Sequence, residues 1–488
     1  MRQHSDQGHH CPGSPEEAND QTALLVSLTS DDTPYLCPGE SLPINRAVHL
    51  ARLRSHYQKC KTCPHRMEAE HFSADAHQQL EEWWNYQEKS PDRLQDGFGS
   101  QSPNEFSVQS GAVLAQAFAN MRWEQKIGQV SLDRNNERQT ISDVRPTIVM
   151  GHDLSEASLE MMRESVRSVR EQGCHIIDVG GVTPACMKFI LEHLQADAGI
   201  HATSRRKDGS GAGLDLYGSQ AMPLSSESLY EVQARLHQNQ LTRYSRSDGG
   251  LTPFPARKAY LDSLWKYFQN IRPVRIWLNT TNELVIDSLQ ELFHNIPGQL
   301  IISQEQYSFN PAEKLDIKRL HPLQSHFMDE DCELGIILDS QGQACHFLDE
   351  NFREIPSAKI LSLLYEQIKR NNATDPNNIP LVMLGEELRA DGITWDSATE
   401  DIFRYRQSLR EYFTRGITTA KTSLGYDALH RYWFVDESPV CDGIITLGKV
   451  LQAISGEPGI LQASRGLTPP ARLAEIFADF SKALGRMI

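Results

Sequence analysis

From Glu105 onward the apolar positions switch between two periods. "SVQSGAVLAQAFANM" carries them at helical spacing, "PTIVMGHD" is a short, continuously apolar run, and "SEASLEMMRESVRSVREQG" is an amphipathic helix with Gly173 near its C-terminal end. "CHIIDVGG" and "TPACMKFILEHL" repeat the strand and the helix. The alternation recurs in "VRIWLNTT", "ELVIDSLQELFHNI" and "GQLIIS", and again in "NIPLVMLGE", "EDIFRYRQSLREYFTRG" and "ITTAKTS", each read as strand, helix, strand. A buried strand followed by an amphipathic helix is the signature of a layered α/β domain. The pattern predicts three such units in sequence, with no repeat at the level of residues. Within the second, "LGIILDSQGQACHFLDENFREI" reads as a strand, a tight turn and a further strand.

The first hundred residues have another texture. Residues 1–22 are polar with no periodic apolar face, which predicts a disordered tail. Residues 23–103 hold a Cys- and His-bearing segment and a linker. In it Ile44 to Tyr57 is expected to be helical, as is "ADAHQQLEEWWNYQE", and "KSPDRLQDGFGSQSPN" reads as an irregular connection.

Composition narrows the partners. The chain has 488 residues, 39% hydrophobic and 23% charged, with a formal net charge of −16. That balance suits soluble globular domains, and phosphate backbones would be repelled, so no nucleic-acid partner is expected. No apolar run reaches the roughly 18 residues of a membrane span. The polar N-terminus lacks a signal core and predicts a cytoplasmic protein. Nine scattered cysteines fit reduced thiols better than a disulfide framework.

Three ordered stretches carry a resemblance. "TIVMGHDLSEASLEMMRESVRSVREQGCHIIDVGGVTPACMKFILEHLQADAGIHATSRRKDGSGAGLDLYGSQAMPLS" is similar to the first domain of the α-D-phosphohexomutase superfamily, the phosphoglucomutases and phosphomannomutases. "NPAEKLDIKRLHPLQSHFMDEDCELGIILDSQGQACHFLDENFREI" resembles its second domain, with the "DGDADR" metal loop. "SLGYDALHRYWFVDESPVCDGIITLGKVLQAI" resembles the third, with the "GEXSGH" sugar loop followed by "DGI". The resemblance implies an α/β fold of three consecutive mutase-type α/β/α domains, over 104–255, 256–357 and 358–488, preceded by a small helical Cys-rich head. The chain ends after "LAEIFADFSKALGRMI", and the family's fourth, phosphate-binding domain is expected to be missing.

In that family a serine of a "TASHNP" loop carries the phosphoryl group and three aspartates hold magnesium. Counting back from Gly213 without a gap puts Arg205 at the phosphoserine position, and a one-residue shift puts Ser204 there. "RRKDGSGAG", with Arg205 and Arg206, could cradle phosphate or be a solvated surface turn. At the metal loop Asp339 stands at the first aspartate, Gln341 and Gln343 at the other two, and Ala344 at the arginine. Magnesium wants hard anionic oxygen, so two amides in place of carboxylates remove the cage and no Mg2+ is expected. At the sugar loop only Gly425 and His430 match, with Tyr426 and Ala428 replacing glutamate and serine. "GRDTR" has become "GHDLS", Gly151 to Ser155.

The head holds Cys37, Cys60 and Cys63 with His49, His56 and His65 nearby. A C-x-x-C pair with a distant cysteine and a histidine is a metal-ligand pattern, and the candidate zinc set is Cys37, His56, Cys60 and Cys63, with His49 or His65 as other fourth ligands. Unrelated thiols and a redox pair are the alternatives. Three functions follow. The first is a degenerate, non-catalytic homologue that binds a phosphosugar or a protein partner in carbohydrate metabolism. The second is an active intramolecular phosphotransferase using Ser204, and the third a zinc- or redox-sensing protein on a mutase framework.

Overall fold

In a computed structural model of the chain, the described residues are 35–38, 42–54, 60, 63–68, 72–73, 76–77, 80, 92–93, 97–99, 106–132, 145–204, 212–238, 245, 247–311, 315–371, 382–385, 402–405, 414, 416–417, 422–435 and 439–456. The chain divides into two compact units, 1–88 and 89–488. In the first, helix α1 (Arg46–Arg54) buries His49 and Leu53, four residues apart on one face. Leu53 packs with Cys60 and Leu80. The expected extension of this helix to Tyr57 and most of the second expected helix lie outside the described residues.

The second unit holds three sheets, which are the three α/β domains. The first is built from β1 (Asp92–Arg93), β2 (Gly97–Gly99), α2 (Val108–Leu132), β3 (Thr147–His152), α3 (Glu156–Glu171), β4 (His175–Gly181), α4 (Pro184–His193), β5 (Ala198–Ser204), β6 (Ala212–Tyr217), α5 (Ser226–Gln238) and β7 (Leu251–Pro253). Its sheet order is β1-β2-β6-β5-β3-β4-β7. β3, β4 and β5 are parallel neighbours because α3 and α4 return the chain to the same end of the sheet. α3 is N-capped by Ser155, whose hydroxyl accepts from the Ser158 N–H, and α4 by Thr183 with Pro184 behind it.

The stretch read as an irregular connection carries the two edge strands. Gly97 to Gly99 pairs antiparallel with Asp215 to Gly213. Gly97 is forced by close approach: a Cβ there would lie 1.9 Å from the Leu214 carbonyl oxygen. Two glycines flanking one apolar residue look like a turn in sequence, and only the partner strand reveals the pairing.

α6 (Ala256–Leu264) leads into the second domain: β8 (Arg275–Asn279), α7 (Glu283–Phe293), β9 (Gln299–Ile302), α8 (Ile317–Asp329), β10 (Leu334–Leu338), β11 (Cys345–Leu348) and β12 (Glu354–Ile355). The third contains α9 (Ser357–Asn371), β13 (Val382–Gly385), β14 (Ile402–Tyr405), β15 (Leu424–Tyr426), β16 (Tyr432–Val435), β17 (Pro439–Cys441) and α10 (Gly443–Ser455). A second difference from expectation lies here. Ile402 to Tyr405, inside the segment read as the unit's helix, is a strand parallel to β13. The run Ile-Phe-Arg-Tyr has β-branched and aromatic character that the helical spacing around it masks.

Sheet orders are β12-β11-β10-β8-β9 and β14-β13-β15-β16-β17. In both, the first strand lies between the second and the third, and the fourth returns antiparallel to the third. β3, β4, β5 and β6 follow the same plan. One core cluster runs through all three, with Val149, Ile276, Leu338, Val382, Leu424 and Leu447 among its members. Among the described residues no helix is long and apolar enough to cross a membrane.

Candidate functional site

The shared plan places three connections at equivalent points, each between the third strand of a domain and its antiparallel fourth. They follow Ser204, Leu338 and Tyr426. Carboxyl ends of parallel strands are where α/β sheets put their sites.

In the first domain Ser204 is the last residue of β5, and its N–H donates to Asp153 Oδ2 at 2.5 Å. Asp153 follows β3 and also accepts from the Ser155 N–H and hydroxyl, at 3.0 and 2.7 Å. Burial pushes its carboxyl up, but these hydrogen bonds outweigh burial and hold it below the ordinary carboxylate range. His201, fully buried, contacts the Val182 carbonyl at 2.9 Å through Nε2. Asp153 therefore fixes where Ser204 sits, while Arg205 and Arg206 lie outside the described residues.

The second turn is the one that resembles the family's metal loop. Asp339 is buried, and its Oδ1 accepts from the N–H groups of Gln343 at 2.7 Å and Ala344 at 3.0 Å. Gly342 closes the turn at φ 71°, and a Cβ there would lie 2.6 Å from Val285 Cγ2. Burial pushes the Asp339 carboxyl above its ordinary value. Gln343 is buried with its Nε2 turned to the Cys441 carbonyl, 3.5 Å away. An amide can donate there and a carboxylate cannot. No group of three or more His, Cys, Asp or Glu side chains among the described residues could hold a metal ion. Asp339, Gln341 and Gln343 do not fit magnesium: one carboxylate closes its own turn, and the buried amide faces a carbonyl.

Gln343→Asp is accordingly expected to cost about 1–3 kcal/mol, because it buries a carboxylate against a carbonyl oxygen. Urea unfolding measures the loss. Calorimetric titration of the wild type should show no saturable magnesium uptake, and uptake abolished by Asp339→Ala would contradict this account of the turn.

The third turn repeats the second. Asp427 stands where Asp339 does, and its Oδ1 accepts from the N–H groups of Leu429 and Arg431, at 3.0 and 3.3 Å. Its Oδ2 accepts from Arg431 Nε at 2.8 Å and from Trp433 Nε1 at 2.9 Å. Arg431 also lies over the Trp433 ring, 5.4 Å from the centroid. His430 holds the position of Gly342, in the left-handed region at φ 56°. Its Nδ1 is 2.7 Å from the Tyr426 hydroxyl, which donates to Ser357 Oγ. Gly425 is a buried strand residue opposite Trp433. Asp427, Arg431 and Trp433 were not singled out in the sequence. The available signal was the parallel between "LDSQGQ" and "YDALHR", an acid at a strand end with the left-handed residue three places on.

The second and third turns are stitched together. Ala344 and Arg431 form an isolated bridge, the Cys345 N–H donates to the His430 carbonyl at 3.1 Å, and the Gly443 N–H donates to the Gly342 carbonyl at 2.9 Å. Beside this seam a pocket is lined by Lys188 from α4, Tyr217, Gln343, Thr414, Trp433 and Cys441, among others. It thus draws on all three domains, and Gln343 belongs to both pocket and metal-type turn. Ser204, Asp339, Gly425 and His430 are not among its lining residues.

In the first unit Cys37, Cys60 and Cys63 are buried. Cys37 Sγ accepts from Arg52 Nη1 at 3.1 Å, and the Cys63 N–H donates to the Cys60 carbonyl at 3.3 Å. His49 stacks on Tyr35 at 4.2 Å, and His65 contacts Glu68 at 2.8 Å. The three thiols are not gathered into a ligand group with the described histidines, and His56 lies outside the described residues.

Comparison with known proteins agrees with this architecture. Residues 116–243 match the family described as phosphoglucomutase/phosphomannomutase, alpha/beta/alpha domain I. The phosphoglucosamine mutase of Leuconostoc mesenteroides is 24% identical over 233 residues, 44% of this chain and 49% of that protein. The chain thus spans about half the length of that relative. The phosphoglucosamine mutase of Neisseria meningitidis is 20% identical over 318 residues, 64% of this chain and 71% of that protein. A phosphoglucomutase/phosphomannomutase family structure from Burkholderia thailandensis superposes with a TM-score of 0.60 at 13% identity, covering 76% of this chain and 78% of the other. The open form of the Paramecium phosphoglucomutase parafusin gives 0.56 at 11% identity, covering 81% and 75%. Residues 116–243 thus carry a first domain of the phosphoglucomutase/phosphomannomutase type, and the three domains on one plan share the fold of that family's solved structures.

Proposed function

We propose that the chain is a non-catalytic phosphohexomutase homologue that binds a hexose phosphate at the three-domain pocket and serves a binding or regulatory role in carbohydrate metabolism. The observation that carries this reading is the metal-type turn, where Asp339 closes its own backbone and Gln343 turns an amide to the Cys441 carbonyl. Phosphoryl transfer works by positioning and by neutralising charge, and this turn offers neither a second nor a third carboxylate for the purpose. Binding asks for less. The cavity there is only about 10 Å³, room for a single water, so a hexose phosphate enters it when the domains part, and Lys188, the Trp433 ring and the polar groups of Tyr217, Gln343 and Thr414 then suit a sugar bearing a phosphate. Amino sugars enter the ligand class because the relatives from Leuconostoc and Neisseria are phosphoglucosamine mutases.

Calorimetry with glucose 1-phosphate and glucosamine 1-phosphate tests it. Saturable binding to the wild type is expected, weakened about tenfold in Lys188→Met, the size of one lost charged contact. Absence of binding to either sugar removes the proposal. The second reading, a working mutase with the phosphoryl group on Ser204, is favoured by one feature: Asp153 holds the Ser204 backbone at the end of β5.

A further inference from the structure

Away from the seam, a groove of about 540 Å³ runs between α6 and α7, where the first domain passes into the second. That volume lies in the range of small-molecule sites. The floor is apolar, made by Val179 on β4, Phe254 after β7, Leu261 of α6 and Leu292 of α7. One face of α6 supplies a wall. Lys258, Leu261, Asp262 and Trp265 recur every three or four residues, so they follow one another along the groove. Arg257 bridges to α7, its guanidinium 3.4 Å from Asp287 and 3.6 Å from Glu291, and its charge is thereby balanced.

The other polar groups of the wall are uncommitted. Lys258 and Asp262 are exposed and four residues apart, and neither joins an ion pair among the described residues. The half-buried Trp265 stacks on no other ring and donates its indole N–H to nothing among the described residues. The groove presents three chemistries in line. Lys258 is a cation in the first turn of α6, a turn without an acid, so an anion is favoured at that end. Seven residues on, about 10 Å along the helix axis, the Trp265 indole borders the apolar floor. Between them Asp262 can accept from hydroxyl or amino groups, and Asn295 of the opposite wall can donate or accept.

A bare phosphate or a hexose phosphate would occupy only the cationic end. A phosphate joined through a sugar to a flat base reaches all three groups. We propose that this groove binds a nucleoside monophosphate, with its phosphate at Lys258, its ribose hydroxyls at Asp262 and its base against Trp265. The groove shares no lining residue with the seam pocket, so this is a second site whatever that pocket binds.

Calorimetric titration of the full chain with adenosine 5′-monophosphate tests it. Saturable uptake is expected. Lys258→Met should weaken it about tenfold, the size of one lost contact to a charged group, and leave the binding of adenosine unchanged. Trp265→Leu should weaken adenosine 5′-monophosphate and adenosine alike, each about tenfold, the worth of one stacked base. Glucose 1-phosphate should not compete, since its place is the other pocket. No saturable uptake of the adenine, guanine or uracil monophosphate overturns the proposal. So does uptake indifferent to Lys258→Met, or competition by glucose 1-phosphate or inorganic phosphate as strong as by the nucleotide itself. Should Trp265→Leu fail to fold, saturation-transfer NMR on the wild type decides the base contact. The adenine ring protons must take up saturation from the protein as strongly as the ribose protons, and ring protons left unsaturated refute the site.

Discussion

Asp427→Ala should lower the free energy of unfolding by about 3–5 kcal/mol, the largest loss expected from any single polar change in the third domain. The substitution leaves the Arg431 guanidinium buried without its carboxylate, the Trp433 N–H without its acceptor, and two turn N–H groups uncapped. Removing one partner of a buried pair costs more than the pair contributes, because the remaining charge has been taken out of water. Asp427→Ala combined with Arg431→Met should therefore be milder than Asp427→Ala alone. Urea unfolding of the three proteins gives the comparison. A loss within about 0.5 kcal/mol for Asp427→Ala, the range of ordinary surface changes, would mean that the turn does not depend on this carboxylate.

The second large effect is a pH dependence. Asp442 caps α10 by accepting from the N–H groups of Ile444 and Ile445, and it accepts the Tyr260 hydroxyl from α6. Burial pushes its carboxyl up from the ordinary 3.8 to about 6. The folded chain thus holds this proton more tightly than the unfolded chain. The resulting stabilisation is complete below 3.8 and is lost as the pH rises through about 6. Its size is about 3 kcal/mol, an order-of-magnitude figure. Asp442→Asn keeps a cap oxygen and cannot titrate, so the stability difference between wild type and variant should change across that window in the sense that favours the variant at higher pH. Asp442→Ala, which loses the cap and strands a buried phenol, should cost about 2–4 kcal/mol. A difference between wild type and Asp442→Asn that stays flat from pH 4 to 7 would contradict the assignment.

Much of the frame was legible because it rests on periodicity and caps. α3 can be read from its apolar spacing, with Ser155 before it and Gly173 after it, and the structure places the helix between those residues. Long-range pairing was not legible. Gly97 to Gly99 resembles a turn until Gly213 to Asp215 lies beside it. Ile402 to Tyr405 looks helical within its own segment and is a strand because β13 offers a parallel edge. At the site, the replacement of two carboxylates by amides could be read directly at Gln341 and Gln343, since charge is a property of residue type. The reason for the Gln343 amide could not, because the Cys441 carbonyl it faces is 98 residues away. The buried Asp427–Arg431 pair and the Tyr260–Asp442 tie went unnoticed for related reasons. The first hides among departures from a sugar-loop pattern, and the second joins residues 182 apart.

The equivalence of the second and third turns gives these departures one physical sense. Asp339 and Asp427 each end a central strand, close a turn with their own carboxylate, and sit three residues before a left-handed residue. A carboxylate used in this way holds two loops in fixed positions beside a shared seam. The same body can therefore keep its three-domain architecture whether or not an ion is held at these turns.

Phosphorus NMR of the purified full-length chain incubated with glucose 1-phosphate or glucosamine 1-phosphate and magnesium tests that claim most directly. The account predicts that the sugar 1-phosphate signal persists, with no 6-phosphate formed beyond a protein-free control. Steady conversion to the 6-phosphate that disappears in Ser204→Ala would contradict it and establish the chain as a working phosphotransferase.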